Sequence, residues 1–220
     1  MQQARKFERF CLYILLHRLA VGGMAEIFLA IDPAVRDESR LLVVKRIREE
    51  LSANKDFLEM FQDEERVISQ LSHPNIIRLL DFGQVGHRFF IALEHVWGES
   101  LATLTQICAN RRMPVPLFAA LYIASKVASA LQHAHQHRDH NGELSPVIHR
   151  DVTLGNVVVS YSGEVKVLDF GIAKAKDRLA HTRAGQIKGT LTYLAPEQLL
   201  GEEVGPYTDI YQLGVLLYQT

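Results

Sequence analysis

The stretch His149-Arg150-Asp151-Val152-Thr153-Leu154-Gly155-Asn156 constrains this 220-residue chain more than any other. It is polar, and it sits between an apolar helix pattern and two short β-type runs, 157–160 and 164–168, that flank Ser162-Gly163 and read as a hairpin. An antiparallel hairpin brings its open ends together. Asn156, just before the first run, and Asp169, just after the second, can therefore converge two side-chain oxygens. A few oxygen ligands, with the rest of the shell left to phosphates or water, suit magnesium. The Asp151 carboxylate is placed to accept a proton from a hydroxyl. The plainer reading is a polar loop with two strand-end caps.

Composition excludes more than it proposes. Hydrophobic content of 48% and charged content of 22% fit a soluble globular chain of one large domain or two small lobes. A net charge of -1 makes no electrostatic case for nucleic acid or an acidic membrane. Cys11 and Cys108 lack metal-ligand spacing and a disulfide framework, so a reducing, cytoplasmic setting is expected. Arg5 and Lys6 precede the apolar run 11–16, but Glu8 and Arg9 interrupt it and no cleavage site follows, so it reads as a first strand. No stretch reaches transmembrane length.

Upstream, 13–16 reads as strand, followed by small residues from Leu19 to Ala30 that predict a tight hairpin able to approach a ligand closely. In the strand 41–47, Lys45 ends an apolar β-branched run, where an ammonium is costly unless paired, at a cleft rim or snorkelling. From Phe57 a helix pattern places Phe57, Met60, Phe61, Ile68 and Leu71 on one face. Glu64 falls on that face and Glu65 about 100° away, so Glu64 needs a cation and Lys45 is the candidate. His73-Pro74-Asn75 breaks the chain, and 76–80 and 89–93 read as strands with Gly83 to Gly86 in their turn. The segment 94–99 reads as a linker between a β-rich lobe and a helical one. A long helix after Pro116 places Leu117, Leu121, Ala124, Ala128 and Leu131 on one face. His133, His135 and His137 fan round its end rather than converging on a metal, and with His140 they read as solvated; 140–146 reads as an added surface turn. A last helix, from near Thr208, has Ile210, Leu213 and Leu217 on one face and reaches Thr220 without a cap.

Five further segments stand in order with the first: Leu42-Val43-Val44-Lys45, Asp169-Phe170-Gly171, Gly189-Thr190-Leu191-Thr192-Tyr193, Ala195-Pro196-Glu197 and Asp209-Ile210-Tyr211-Gln212-Leu213-Gly214. Together they resemble the motif set of bacterial Hanks-type (eukaryotic-like) serine/threonine protein kinases. The resemblance implies an α+β, two-lobed protein-kinase-like fold over 13–220: a β-rich N-lobe 13–94, a hinge 95–98 and a mainly helical C-lobe 99–220, incomplete at its C-terminus. It implies ATP bound by Leu19, Ala20, Val21, Gly22, Gly23, Met24, Ala25, Ile27, Val43, Lys45, the gatekeeper Leu93, Glu94, Val96 and Val158. Lys45 would hold the α- and β-phosphates and be held by Glu64. Asn156 and Asp169 would hold Mg2+. Asp151 would orient the substrate hydroxyl and accept its proton, with Thr190 as a structural partner. Ile68, Leu79, Phe170 and His149 match the stacked apolar set that aligns active kinases, anchored by Asp209. Arg150 beside Asp151 implies control by activation-loop phosphorylation, and 172–188 offers only Thr182 as hydroxyl acceptor. Implied partners are proteins bearing Ser or Thr, and a second copy for phosphorylation in trans.

Three departures from the family pattern stand out. Thr153 and Leu154 replace the usual lysine and proline after the catalytic aspartate. The glycine loop keeps only its middle glycine, Gly22, with Ala20 and Ala25 at the outer places. Both features resemble a bacterial subgroup, and with Lys45, Glu64, Asp151, Asn156 and Asp169 present an active kinase is expected. The arginine that would pair Glu197 lies in helices beyond residue 220, so the chain reads as a fragment. Competing readings are a pseudokinase-like nucleotide-binding module and a small-molecule phosphotransferase. Ala195-Pro196-Glu197 and Gly189-Thr190 speak against the latter.

Overall fold

Period-two alternation sets the first sheet. The computed structural model describes residues 7–23, 25–37, 40–52, 55–170 and 191–220. It divides into two units, residues 1–65 with 78–95 and residues 66–77 with 96–220.

In the first unit, β1 (Glu8–Phe10), β2 (Tyr13–Val21), β3 (Ala25–Ile31), β4 (Leu41–Ile47), β5 (Leu79–Val85) and β6 (Arg88–Glu94) form an antiparallel sheet in the order β1-β2-β3-β4-β6-β5. Leu42 and Val44 alternate into a core with Phe10, Tyr13, Leu15, Phe28, Ala30, Phe90 and Ala92. Phe10 and Tyr13 meet the Phe90 ring edge-on at centroid distances of 5.5 and 6.0 Å. Val43 and Lys45 face the other way.

Three expectations are corrected here. The apolar run 11–16 is not one strand: Cys11, at φ 54, turns the chain so that Phe10 pairs with Tyr13 and β1 precedes β2. Gly83 lies inside β5 opposite Phe90, whose ring would stand 2.9 Å from any Cβ there; the turn is at Gly86, φ 61. Ile76 and Ile77 precede β5 and are buried in the second unit. Helix α1 (Lys55–Gln70) buries Phe61 and Ile68 as its periodicity predicted. The side chains of Phe57, Met60 and Glu64 lie outside the described residues.

In the second unit, β7 (Gly98–Ser100), β8 (Val157–Ser160) and β9 (Val165–Val167) form a three-stranded sheet beside α2 (Leu101–Asn110), α3 (Leu117–His135), α4 (Pro196–Leu200) and α5 (Pro206–Gln219). The Ser100 hydroxyl caps α2 by accepting the Thr103 N–H at 3.1 Å. Gly98 pairs with Ser160, and a Cβ there would lie 2.2 Å from the Val159 carbonyl oxygen. Gly98→Ala is therefore expected to lower stability by about 1–3 kcal/mol through overpacking, measured by urea denaturation. A change below about 0.5 kcal/mol, the range of an ordinary surface substitution, would show that this approach is not tight.

The buried side of α3 also differs from the predicted stripe. Leu117 and Leu121 are 72% and 51% exposed, whereas Ala120, Ile123, Ala124, Val127, Ala130, Leu131 and Ala134 face inward. Small alanines admit α5 and β9 at close range, so size rather than hydropathy selected the inner face.

Candidate active site

The last helix looks amphipathic in the wrong sense. Its buried residues are Thr208, Asp209, Gln212 and Leu216, and Ile210, expected inside, is 55% exposed. The polar side chains face inward because they hold the His149–Asn156 segment. Asp209 accepts the His149 N–H on Oδ2 at 2.8 Å and the Arg150 N–H on Oδ1 at 2.7 Å. His135 Nε2 lies 2.7 Å from the same Oδ2. Gln212 accepts the Val152 N–H at 2.8 Å and donates to the Arg150 carbonyl at 3.0 Å, which also accepts from Gln198 at 3.0 Å. A buried polar segment thus has its backbone groups paired by side chains. These bonds hold Arg150 at φ 67, a conformation that L-residues rarely adopt.

His149 is fully buried, and its bonds fix its tautomer. Nδ1 accepts the Asp151 N–H at 3.2 Å, so Nε2 carries the hydrogen and donates it to the Leu168 carbonyl at 2.8 Å. The His149 ring packs on Phe170 with centroids 4.6 Å apart, and Phe170 and Ile68 are buried in this unit. Leu79, the fourth member of the predicted stack, belongs to the first unit.

Asp151 is buried, and the Asn156 amide donates to its carboxylate at 2.9 Å and to its carbonyl at 2.8 Å. With its nitrogen engaged on Asp151, Asn156 offers its side-chain oxygen as the remaining acceptor. The Leu168 N–H donates to the Asn156 carbonyl at 2.8 Å, joining the open ends of the β8–β9 hairpin next to Asp169. Asp169 itself stands at φ 45, a second strained backbone position. A carboxylate and an amide oxygen at adjoining strand ends are hard oxygen donors of the kind magnesium takes.

The first unit carries the other predicted ligand residues. Cross-strand register aligns Ala20 with Ile27, Ile27 with Lys45, Lys45 with Ile91 and Val43 with Leu93. Ala20, Ile27, Val43, Lys45 and Leu93 accordingly share the sheet face opposite the aromatic core. The hairpin turn is closed by Gly22 N–H to the Ala25 carbonyl at 2.8 Å. Leu19, Val21, Gly22 and Gly23 are exposed around it. Glu94 donates its N–H to the Arg78 carbonyl at 3.0 Å. Val96 and Val158, half-buried, lie in the second unit. Met24, Thr182 and Thr190 lie outside the described residues.

A family model for the protein kinase domain matches residues 13–220. The chain belongs to the protein kinase family. Over 207 residues, 94% of this chain, it is 42% identical to the tyrosine-protein kinase MasK of Myxococcus xanthus, covering 32% of that protein. It is 35% identical over 212 residues to the serine/threonine-protein kinase PknA of Mycobacterium tuberculosis, covering 94% of this chain and 46% of the relative. The chain thus spans less than half the length of these relatives. Among solved structures, the Mycobacterium tuberculosis PknI kinase domain superposes with a TM-score of 0.70 at 27% identity, over 98% of this chain and 76% of that one.

Within this kinase domain, sequence reasoning named Asp209 as an anchor but missed the other residues that shape the His149–Asn156 loop from a distance. Gln198 lies outside the motif segments and Gln212 lies inside one without a role assigned to it, since glutamines in a helix read as solvated. His135 was expected to be solvated but binds Asp209, and His133 stacks on His73 with centroids 5.1 Å apart. Burial, followed by the nearby cationic groups His133, Lys126 and Lys166, holds the His73 imidazole below its usual pKa. Glu197 accepts a 2.5 Å hydrogen bond from the Thr208 hydroxyl. Among the described residues, no helix is long and apolar enough to cross a membrane.

Proposed function

We propose that this kinase domain transfers the γ-phosphoryl group of ATP to serine or threonine hydroxyls of proteins, with N-lobe 13–94, hinge 95–98 and C-lobe 99–220. The reading is carried by the Asp151 carboxylate, held by the Asn156 amide in a loop fastened to Asp209. In the transfer, the substrate oxygen bonds to the γ-phosphorus, the bond to the β-phosphate oxygen breaks, and the hydroxyl proton goes to Asp151. Lys45, held by Glu64, would steady the α- and β-phosphates. Asn156 and Asp169 would hold Mg2+, which when bound neutralises phosphate charge. Thr182 is the proposed site of autophosphorylation, between two copies, with Arg150 pairing the product phosphate. A cytoplasmic setting is part of this reading.

A second reading, tyrosine phosphorylation, draws on the Myxococcus relative, named a tyrosine-protein kinase, and on Thr153 in place of lysine. Phosphoamino-acid analysis of the full-length protein after incubation with γ-labelled ATP and magnesium separates the two. Phosphothreonine is expected, and the label in the peptide carrying residue 182 should disappear in Thr182→Ala. Phosphotyrosine as the main product would overturn Ser/Thr specificity. ATP binding without label would leave a nucleotide-binding module.

A further inference from the structure

Lys45 and Arg46 are neighbours on β4 that point to opposite faces of the sheet, and only Lys45 has a role above. Arg46 is 5% exposed. Its guanidinium lies 4.6 Å from the centre of the Phe28 ring and 5.1 Å from that of Phe10. Nη1 donates to Glu8 at 2.5 Å and Nη2 to Glu26 at 3.1 Å, and the buried Nε has no hydrogen-bond partner. Burying a guanidinium is costly, and a buried ion pair is weak evidence of net stabilisation. Stability alone therefore accounts poorly for an arginine among these aromatic rings.

Position offers the better account. Glu26 stands directly across from Arg46 on β3 and across from Val21 on β2, one row from the Ile27–Lys45 pair. Its other oxygen accepts from Arg18 Nη1 at 2.8 Å. Burial would raise the Glu26 pKa, but hydrogen bonds from Arg18 and Arg46 override it and hold the carboxyl below its usual range. Glu26 is thus tied to both neighbouring strands at the root of the 20–25 hairpin. Glu8, which holds the far side of Arg46, belongs to β1, a strand outside the 13–220 kinase match.

We infer that Arg46 is a positioning residue that, through Glu26, fixes the angle at which the 20–25 hairpin leaves the sheet and so how closely its backbone covers a nucleotide's phosphates. Strand β1 is the second jaw of this clamp. The inference rests on the nucleotide-binding reading above.

The test compares the affinities of ATP and adenosine for the full-length protein by calorimetry, unaltered and as Arg46→Met, Glu26→Ala and Lys45→Met. Both clamp variants are expected to weaken ATP about tenfold while adenosine, which has no phosphates to cover, stays within about twofold. Glu26→Ala leaves Arg46 its Glu8 partner, so it decides the matter if Arg46→Met does not fold. Equal losses for both ligands in Glu26→Ala, or an unchanged ratio, would overturn the inference. If the unaltered protein binds no ATP, or Lys45→Met leaves ATP affinity unchanged, the nucleotide-binding reading itself falls and takes the clamp with it.

Discussion

Asp151→Asn is expected to slow phosphoryl transfer by about 10²–10⁴-fold, the usual worth of a positioned general base, while ATP affinity stays within about threefold. Asparagine matches aspartate in shape, and its amide oxygen can still accept from Asn156, now 2.9 Å from the carboxylate. The second bond from Asn156, to the residue 151 carbonyl at 2.8 Å, involves only backbone at that position. Loop geometry should therefore survive and only the proton acceptor be lost. Single-turnover transfer with saturating ATP reads this directly. A rate within twofold of the unaltered protein would remove Asp151 from the chemistry.

Asp209→Ala is expected to cost about 3–5 kcal/mol, the scale for removing one partner of a buried charged network. The His149 and Arg150 N–H groups and His135 Nε2 would all lose an acceptor inside the protein. Transfer should fall with stability, because Arg150 would no longer be held at φ 67. Urea denaturation of the full-length protein measures the first effect and labelled transfer the second. A loss under about 1 kcal/mol, no more than an ordinary hydrogen bond, would mean that solvent or a neighbour replaces the carboxylate easily.

Local pattern carried the elements whose side chains face one apolar environment. The strand 41–47 was legible to the residue because its alternation meets a core on one face. The β8–β9 hairpin was legible because turn residues bracket two β-branched runs. Pattern failed where polar side chains serve the interior. Asp209 and Gln212 turn inward to pair backbone N–H groups 60 residues away, and His135 to meet the Asp209 carboxylate 74 residues on; no periodicity encodes such partners, and only the family resemblance singled out Asp209. It failed again at Gly83, where a glycine that reads as a turn makes room for the Phe90 ring. The closeness of Asp151, Asn156 and the strand end before Asp169 was legible as spacing, since the three residues flank a single hairpin. Arg46 was not, because a charge inside a strand reads as an interruption until Glu26 and the two aromatic rings are seen around it.

The dependence of the His149–Asn156 segment on Asp209 also bears on synthesis. Arg150 precedes that carboxylate by 59 residues. At about 5–20 residues per second on the ribosome, Asp151 is made roughly 3–12 s before the group that fixes its loop. A nascent chain therefore carries every residue up to Asp169 before the loop around Asp151 can be fastened by Asp209. The bonds from Asp209 to His149 and Arg150 can form only once α5 is made and docks. Mutations that slow that docking are expected to prolong an intermediate whose His149–Arg150 backbone is not yet fastened.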